Sequence, residues 1–291
     1  MNSSQGKAVT GRRGLLPGRS WRSLIGARRG RCGAILAALL GLWLGAAGCR
    51  PLSAIPQEEL IANAVRAAQK GRCPAPQPGT LQDITGTPAG PYYIHHPDQT
   101  TDHTPTVLFL PGGAGTQKIA RDYIWKNWLA RGQRLNEVRV VIPYVPDRSH
   151  MTKKESLRTL LILEEVLACY GGKHERVQLA GTSNGGRHAF YLMTLVPQRF
   201  ASLLGAPGVF PKKTDDAVVA AALRERAVYN GVGAEDQDWK PEVKATHERL
   251  LRLGARSVYV EFPGQGHILN EQFDPSPFFD FWLGGPAPSP N

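Results

Sequence analysis

Six short apolar runs alternate along this chain with stretches of helical spacing, and that alternation leaves few folds open. Thr106 to Leu110, Val138 to Val145, Val177 to Ala180, Ala201 to Gly205, Ala227 to Val232 and Ser257 to Phe262 read as strands, with Tyr92 to Ile94 an earlier one. Helical spacing occupies Ile119 to Ala130, Lys154 to Ala168, Asn184 to Val196 before Pro197, Pro241 to Leu253 before Gly254, and Phe278 to Leu283. Strands that are apolar throughout must be covered on both faces, and helices between them supply the cover. The expectation is an α/β fold with a mostly parallel central sheet and helices on both faces. Only about two dozen residues separate the strands near 203 and 229, too few for a large lid domain, so the top of the sheet should be open.

One junction in this series carries chemistry. After Val177 to Ala180 comes Gly181-Thr182-Ser183-Asn184-Gly185-Gly186, and then a helix. Strand, Gly-x-Ser-x-Gly, helix is the layout of a sharp turn that lifts a serine hydroxyl clear of the sheet, with glycines where the backbone folds tightly on itself. Ser183 is therefore the candidate nucleophile. A serine hydroxyl at neutral pH needs a base, and the base needs an orienting group. His267 lies in the turn-rich Phe262-Pro263-Gly264-Gln265-Gly266-His267, just past the last strand, and is the candidate base. His95, His96 and His103 precede the serine, and His188 and His247 fall within helical spacing, so surface or helix roles suit them better. Adjacent His95 and His96 on a strand would point to opposite faces and make no metal pair.

The orienting acid should follow the strand ending at Val232. Gly233-Ala234-Glu235-Asp236-Gln237-Asp238-Trp239 offers three carboxylates there. The Gly-x-x-Asp spacing places Asp236 first, Asp238 second and Glu235 third. Asp238 also suits a cap for the helix that begins near Pro241. The oxyanion of a tetrahedral intermediate needs backbone N–H donors. Asn184 follows the nucleophile, and Gly112 or Gly113, in the glycine-rich loop Pro111-Gly112-Gly113-Ala114-Gly115, offers the second, with Gly113 preferred. Trp239 and Ile268, beside the acid and the base, are the expected lining of the substrate pocket. No metal or cofactor is called for by this chemistry.

Glycine loop, serine turn, acid loop and histidine loop, in that order, resemble the α/β-hydrolase superfamily over about residues 81–285. Gly-Thr-Ser-Asn-Gly-Gly and Pro-Gly-Gln-Gly-His-Ile are similar to its lidless esterase branch, which includes polyhydroxybutyrate-depolymerase-like and feruloyl-esterase-like members. The resemblance implies hydrolysis of small-molecule or polymeric carboxylic esters through an acyl-enzyme. This chain has Pro111 where many members have histidine. Two other readings are a peptidase or amidase of the same fold, and a non-catalytic envelope binding protein.

The first 48 residues stand apart. They hold Lys7, Arg12, Arg13, Arg19, Arg22, Arg28, Arg29 and Arg31 and no acid, followed by an apolar run from Ala34 to Leu44 and Gly45-Ala46-Ala47-Gly48-Cys49. A basic segment, a short apolar stretch and a small-residue exit make a secretory signal. Ala-Ala-Gly-Cys also resembles a bacterial lipobox, with Ala46 where that pattern has leucine, and would make Cys49 a lipidated membrane tether. The formal charge of +11 less the eight leader charges leaves 11 − 8 = +3, which argues against nucleic acid as a partner. Of the four cysteines, Cys32 and Cys49 belong to the leader, leaving Cys73 and Cys169 to pair in an exported protein. Residues 49–80, with Pro51, Pro56, Pro74, Pro76 and Pro78 around a helical Glu58 to Lys70, read as a tether with a short helix. Residues 286–291 read as a disordered tail.

Overall fold

The structure, a computed structural model, describes residues 73–145 and 153–284, all of them within one compact unit spanning Ser53–Asn291. The leader, Cys49, the helical stretch Glu58 to Lys70 and the tail at 286–291 lie outside the described residues.

Among the described residues eight strands form one sheet. They are β1 (Leu81–Ile84), β2 (Tyr92–His95), β3 (Thr106–Leu110), β4 (Arg139–Pro143), β5 (Val177–Gly181), β6 (Ser202–Gly205), β7 (Ala227–Gly233) and β8 (Arg256–Phe262). Their order is β1-β2-β4-β3-β5-β6-β7-β8. β1 pairs antiparallel with β2, and β2 antiparallel with β4. Every neighbour from β4 to β8 is parallel. β1 has no apolar run to announce it, since Leu81-Gln82-Asp83-Ile84 is half polar, and it is held as an edge strand by pairing with β2 and by Ile84 and Leu81 packing into the two cores.

Among the described residues six helices cover the sheet: α1 (Ile119–Lys126), α2 (Lys153–Tyr170), α3 (Asn184–Leu195), α4 (Asp216–Leu223), α5 (Lys240–Arg252) and α6 (Ser276–Trp282). The two-residue alternation of each strand sorts its side chains between two cores. Leu108 and Leu110 of β3, Val141 of β4 and Leu179 of β5 pack with Leu163, Phe190 and Met193 of α2 and α3. The intervening Val107, Phe109, Val140, Ile142 and Ala180 pack on the opposite face with Ile124 of α1 and Phe278, Phe279 and Trp282 of α6. The expected fold is thus the observed one. The segment from Ala206 to Arg226, between β6 and β7, holds only the eight-residue α4, and among the described residues no large lid stands over the carboxyl ends of the strands.

Two of the expected helices differ in form or capping from the sequence reading. α1 is a wide, π-type helix that ends at Lys126, and Leu129–Arg131 forms a separate tight turn. Apolar spacing over two turns does not distinguish i+4 from i+5 bonding. α5 begins at Lys240 with Trp239 at its cap position, so Asp238 falls one residue too early to cap it and stands exposed.

The Cys73 and Cys169 sulfurs are joined, closing a loop of sequence separation 96 between the segment ahead of β1 and the last turn of α2.

Candidate active site

β5 delivers Ser183 to the carboxyl edge of the sheet. The turn is held from three sides: Thr182 N–H donates to the Leu110 carbonyl (3.2 Å), Ser183 N–H to the Pro207 carbonyl (2.9 Å), and Arg187 N–H to the Ser183 carbonyl (2.9 Å). Ser183 has φ 54° and ψ −119°, and is the one non-glycine residue of positive φ among those described. Such a conformation costs about 1–3 kcal/mol and persists only where the surroundings fix it. The flanking glycines are what permit it. A Cβ on Gly185 would run into the carbonyl oxygens of Leu110 and Pro111, and one on Gly181 into the Gly185 backbone.

Ser183 Oγ lies 3.0 Å from His267 Nε2. His267 Nδ1 lies 2.8 Å from Asp236 Oδ2. A carboxylate only accepts, so Nδ1 carries the proton and Nε2 is left to accept from the serine hydroxyl. Asp236 is almost fully buried, whereas the His267 side chain is 39% exposed. The second Asp236 oxygen, Oδ1, accepts from Trp239 N–H at 3.2 Å. Asp236 therefore orients the histidine and closes the turn into α5 at once, the capping duty that the sequence suggested for Asp238. Among the acid loop's carboxylates, Asp236 is the one joined to His267. Asp238 and Glu235 are exposed.

The glycine-rich loop after β3 lies against the serine turn. A Cβ on Gly112 would come within 3.0 Å of the Thr182 carbonyl and 3.2 Å of Ser183 Cβ. Gly113 turns at φ 57°, a conformation that favours glycine. Its carbonyl accepts from Asn184 Nδ2 at 3.0 Å. The side chain of Asn184 thus fastens the glycine loop to the turn whose backbone it follows. That bond was not legible in the sequence, where Asn184 counted only for its N–H. Two further supports also carry no sequence signal. Asn230 of β7, fully buried, donates Nδ2 to the Gly208 carbonyl (2.7 Å) and accepts from Gly208 N–H (3.1 Å). It holds the loop whose Pro207 carbonyl binds Ser183. Buried Trp128 donates Nε1 to the Leu269 carbonyl (2.9 Å), tying the histidine loop to the segment after α1.

A cleft of about 330 Å3 opens beside the serine, lined by Gly112, Gly113, Thr182, Ser183 and His267 with Ile119, Tyr123, Ile124, Trp128 and Ile268. Ile268 is 61% exposed and Tyr123 40% exposed at its rim, two large apolar side chains held in solvent at the mouth. Trp239 is not among the lining residues. Its indole is stacked on the imidazole of His267 at 5.4 Å and 30°. The sequence grouped it with Ile268, but its place at the start of α5 turns it toward the base instead of the cleft.

His95 and His96 are both about 1% exposed, and their Nε2 atoms have no hydrogen-bond partner among the described residues. They are core residues of β2 and the bridge after it, not the surface residues their position suggested. Among the described residues no group of three or more His, Cys, Asp or Glu is placed to hold a metal ion.

No protein-family model matches this sequence, and no curated protein matches it. Solved structures do resemble it in fold. An acetyl xylan esterase from Aspergillus awamori aligns with 71% of this chain and 99% of its own, at 13% identity and a TM-score of 0.52. A ferulic acid esterase from the anaerobic fungus Anaeromyces mucronatus aligns with 74% of this chain and 95% of its own, at 17% identity and a TM-score of 0.51. The fluorophosphonate-binding serine hydrolase F of Staphylococcus aureus aligns with 65% of this chain and 93% of its own, at 15% identity and a TM-score of 0.51. The fold is the α/β-hydrolase fold, and these structural neighbours are serine hydrolases and esterases.

Proposed function

We propose that this protein is an exported serine esterase that cleaves carboxylic esters through an acyl-enzyme, with Ser183, His267 and Asp236 as its triad. One observation carries the reading: the unbroken hydrogen-bond chain Ser183–His267–Asp236, at 3.0 and 2.8 Å, on a strained serine beside an open apolar cleft. Ser183 Oγ attacks the ester carbonyl carbon while its proton passes to His267 Nε2. The carbonyl oxygen becomes an oxyanion held by the N–H groups of Gly113 and Asn184. As the C–O bond to the alcohol breaks, His267 returns the proton to the leaving oxygen and the acyl group stays on Ser183. Water, deprotonated by His267, then attacks the acyl carbon, and the carboxylic acid leaves with the serine hydroxyl restored. Asp236 keeps its charge throughout and holds the imidazole in the tautomer and orientation this requires.

The cleft supports an apolar acyl group of moderate size. Its volume is about twice the ~150 Å3 of a cavity that accepts a benzene ring. Export is supported by the leader and by the Cys73–Cys169 disulfide, a bond that persists in oxidising compartments. Membrane tethering through Cys49 remains part of the proposal, and the mass of the mature amino terminus tests it.

A fluorophosphonate probe decides the central reading. The wild type should be labelled on Ser183 and Ser183→Ala should not; absent or equal labelling sinks it. Turnover of p-nitrophenyl esters against feruloyl esters, polyesters and peptide amides then ranks the substrates. On the best ester, Asp236→Asn should lower kcat by about 10^3–10^4-fold through the wrong tautomer, with Asp238→Asn near wild type.

A further inference from the structure

Resting on the triad reading above, we propose that Trp239 is a positioning residue that sets the acid and the base together, and that Arg187 holds Trp239 in that role. Two hydrogen bonds pin His267, one at Nδ1 and one at Nε2, on opposite sides of the ring. Both bonds lie in the ring plane and resist motion out of that plane only weakly, and the side chain is 39% exposed. A contact on a ring face adds the restraint that the in-plane bonds supply least. Among the described residues, the aromatic ring stacked on His267 is that of Trp239, at 5.4 Å and 30°.

The same residue reaches the acid. Its backbone N–H donates to Asp236 Oδ1 at 3.2 Å, so one residue fixes the carboxylate through its main chain and the imidazole through its side chain. Trp239 is itself braced. One part of the indole packs on the small apolar cluster of Val209, Val232 and Val243. The Arg187 guanidinium lies over the ring with its Cζ 4.1 Å from the centroid. Arg187 belongs to the first turn of α3, and its N–H donates to the Ser183 carbonyl, while its guanidinium pairs with Glu242 of α5 at 3.4 Å. The stack Arg187–Trp239–His267 therefore links the helix that carries the nucleophile to the loop that carries the acid and to the base between them. A cation over an indole face is attracted by the ring's negative face, which biases the half-buried tryptophan toward one rotamer.

Because Trp239 lies outside the cleft, losing its ring should cost turnover and spare substrate binding. A misplacement of about 1 Å among reacting groups can lower a rate by about 10^2-fold. The experiment compares Trp239→Ala, Trp239→Phe and Arg187→Ala by steady-state kinetics, phosphonate labelling rate and thermal midpoint. Trp239→Ala should lose about 10- to 100-fold in kcat with KM within about threefold of wild type, and label more slowly by a similar factor. Trp239→Phe, which keeps a stacking face, should recover most of that loss. Arg187→Ala, at a half-exposed site, should lower kcat about 3- to 10-fold with the thermal midpoint unchanged. An unaltered kcat in Trp239→Ala, a loss confined to KM, or a Trp239→Phe protein as slow as Trp239→Ala overturns the proposal. If Trp239→Ala does not fold, the other two variants decide it on the same criteria. A wild type that takes no phosphonate label refutes the triad instead, so the two failures are told apart.

Discussion

Asn184 illustrates how much a single side chain can do beyond the duty its motif assigns. Within Gly-x-Ser-x-Gly it is the unspecified residue after the nucleophile, valued for a backbone N–H that any residue would supply. Its amide instead reaches across to the Gly113 carbonyl at 3.0 Å, which sets one candidate oxyanion donor relative to the other. Asn184→Ala keeps both N–H groups and removes this tie, so kcat on an activated ester should fall about tenfold with Ser183 still labelled by a phosphonate. Asn230 makes the complementary case in the core. Replacing it by alanine leaves the Gly208 N–H and carbonyl buried without partners, at a cost of about 2–4 kcal/mol in urea unfolding. Serine, histidine and acid were legible because each sits at a fixed place in a strand–loop order. Asn230 was not, because its partner lies 22 residues away and the pairing exists only once β6 and β7 are side by side.

At the scale of elements, the strands were legible because β3 to β6 are buried from end to end and are mostly apolar or small, with Arg139 and Gln178 the large polar exceptions. α4 was not read at all, though it matters for what stands above the site. It is short and sits in the one segment where a larger insertion would have enclosed the cleft. α2 is fixed at its end by two different means. Buried Arg139 of β4 donates to the Tyr170 and Gly171 carbonyls at 2.8 and 2.7 Å, satisfying the last turn of the helix, and Cys169 ties the same turn to Cys73. A loop of separation 96 puts the chain-entropy value of that disulfide near 4.7 kcal/mol, with native disulfides typically contributing about 2–5. The Cys73→Ser, Cys169→Ser double variant should lose stability in that range by urea unfolding. Its initial rate of ester hydrolysis in the absence of urea should hold, because the bond lies at the opposite end of the strands from Ser183.

For the whole molecule, the buried histidines set a direction for acid sensitivity. Burial pushes His96 down to about 4, and the Arg139 guanidinium and His95 act in the same direction. Burial also lowers His95, His174 and His247. A histidine whose folded value lies below its unfolded value of about 6.5 binds its proton more readily in the unfolded chain. Its stabilising contribution is complete above pH 6.5 and is lost progressively as pH falls from there toward 4. Unfolding free energy should therefore decline across that window, with His96 responsible for at most about 3 kcal/mol. His96→Gln should flatten the slope, measured by urea unfolding at a series of pH values; an unchanged slope would show that His96 does not drive it. None of this was legible beforehand. A strand position two residues from a turn says nothing about whether the ring will be sealed beneath Tyr170, whose centroid lies 4.4 Å away.

What the sequence determined by itself was local and ordered: which runs are too apolar to be exposed, where the backbone must turn on glycine, and in what succession serine, acid and histidine follow those turns. Those properties depend on neighbours within a few residues, and neighbours in the chain are visible in the chain. The tertiary structure alone decided the rest. It chose Asp236 over Asp238, since the choice depends on which carboxylate lies 2.8 Å from a ring 31 residues away. It set Trp239 against the imidazole and not among the residues lining the cleft, and gave Asn184, Asn230 and Trp128 their contacts. Each of those depends on contacts between segments that only the closing of the sheet brings together, where a hydrogen bond is made or missed over a fraction of an ångström.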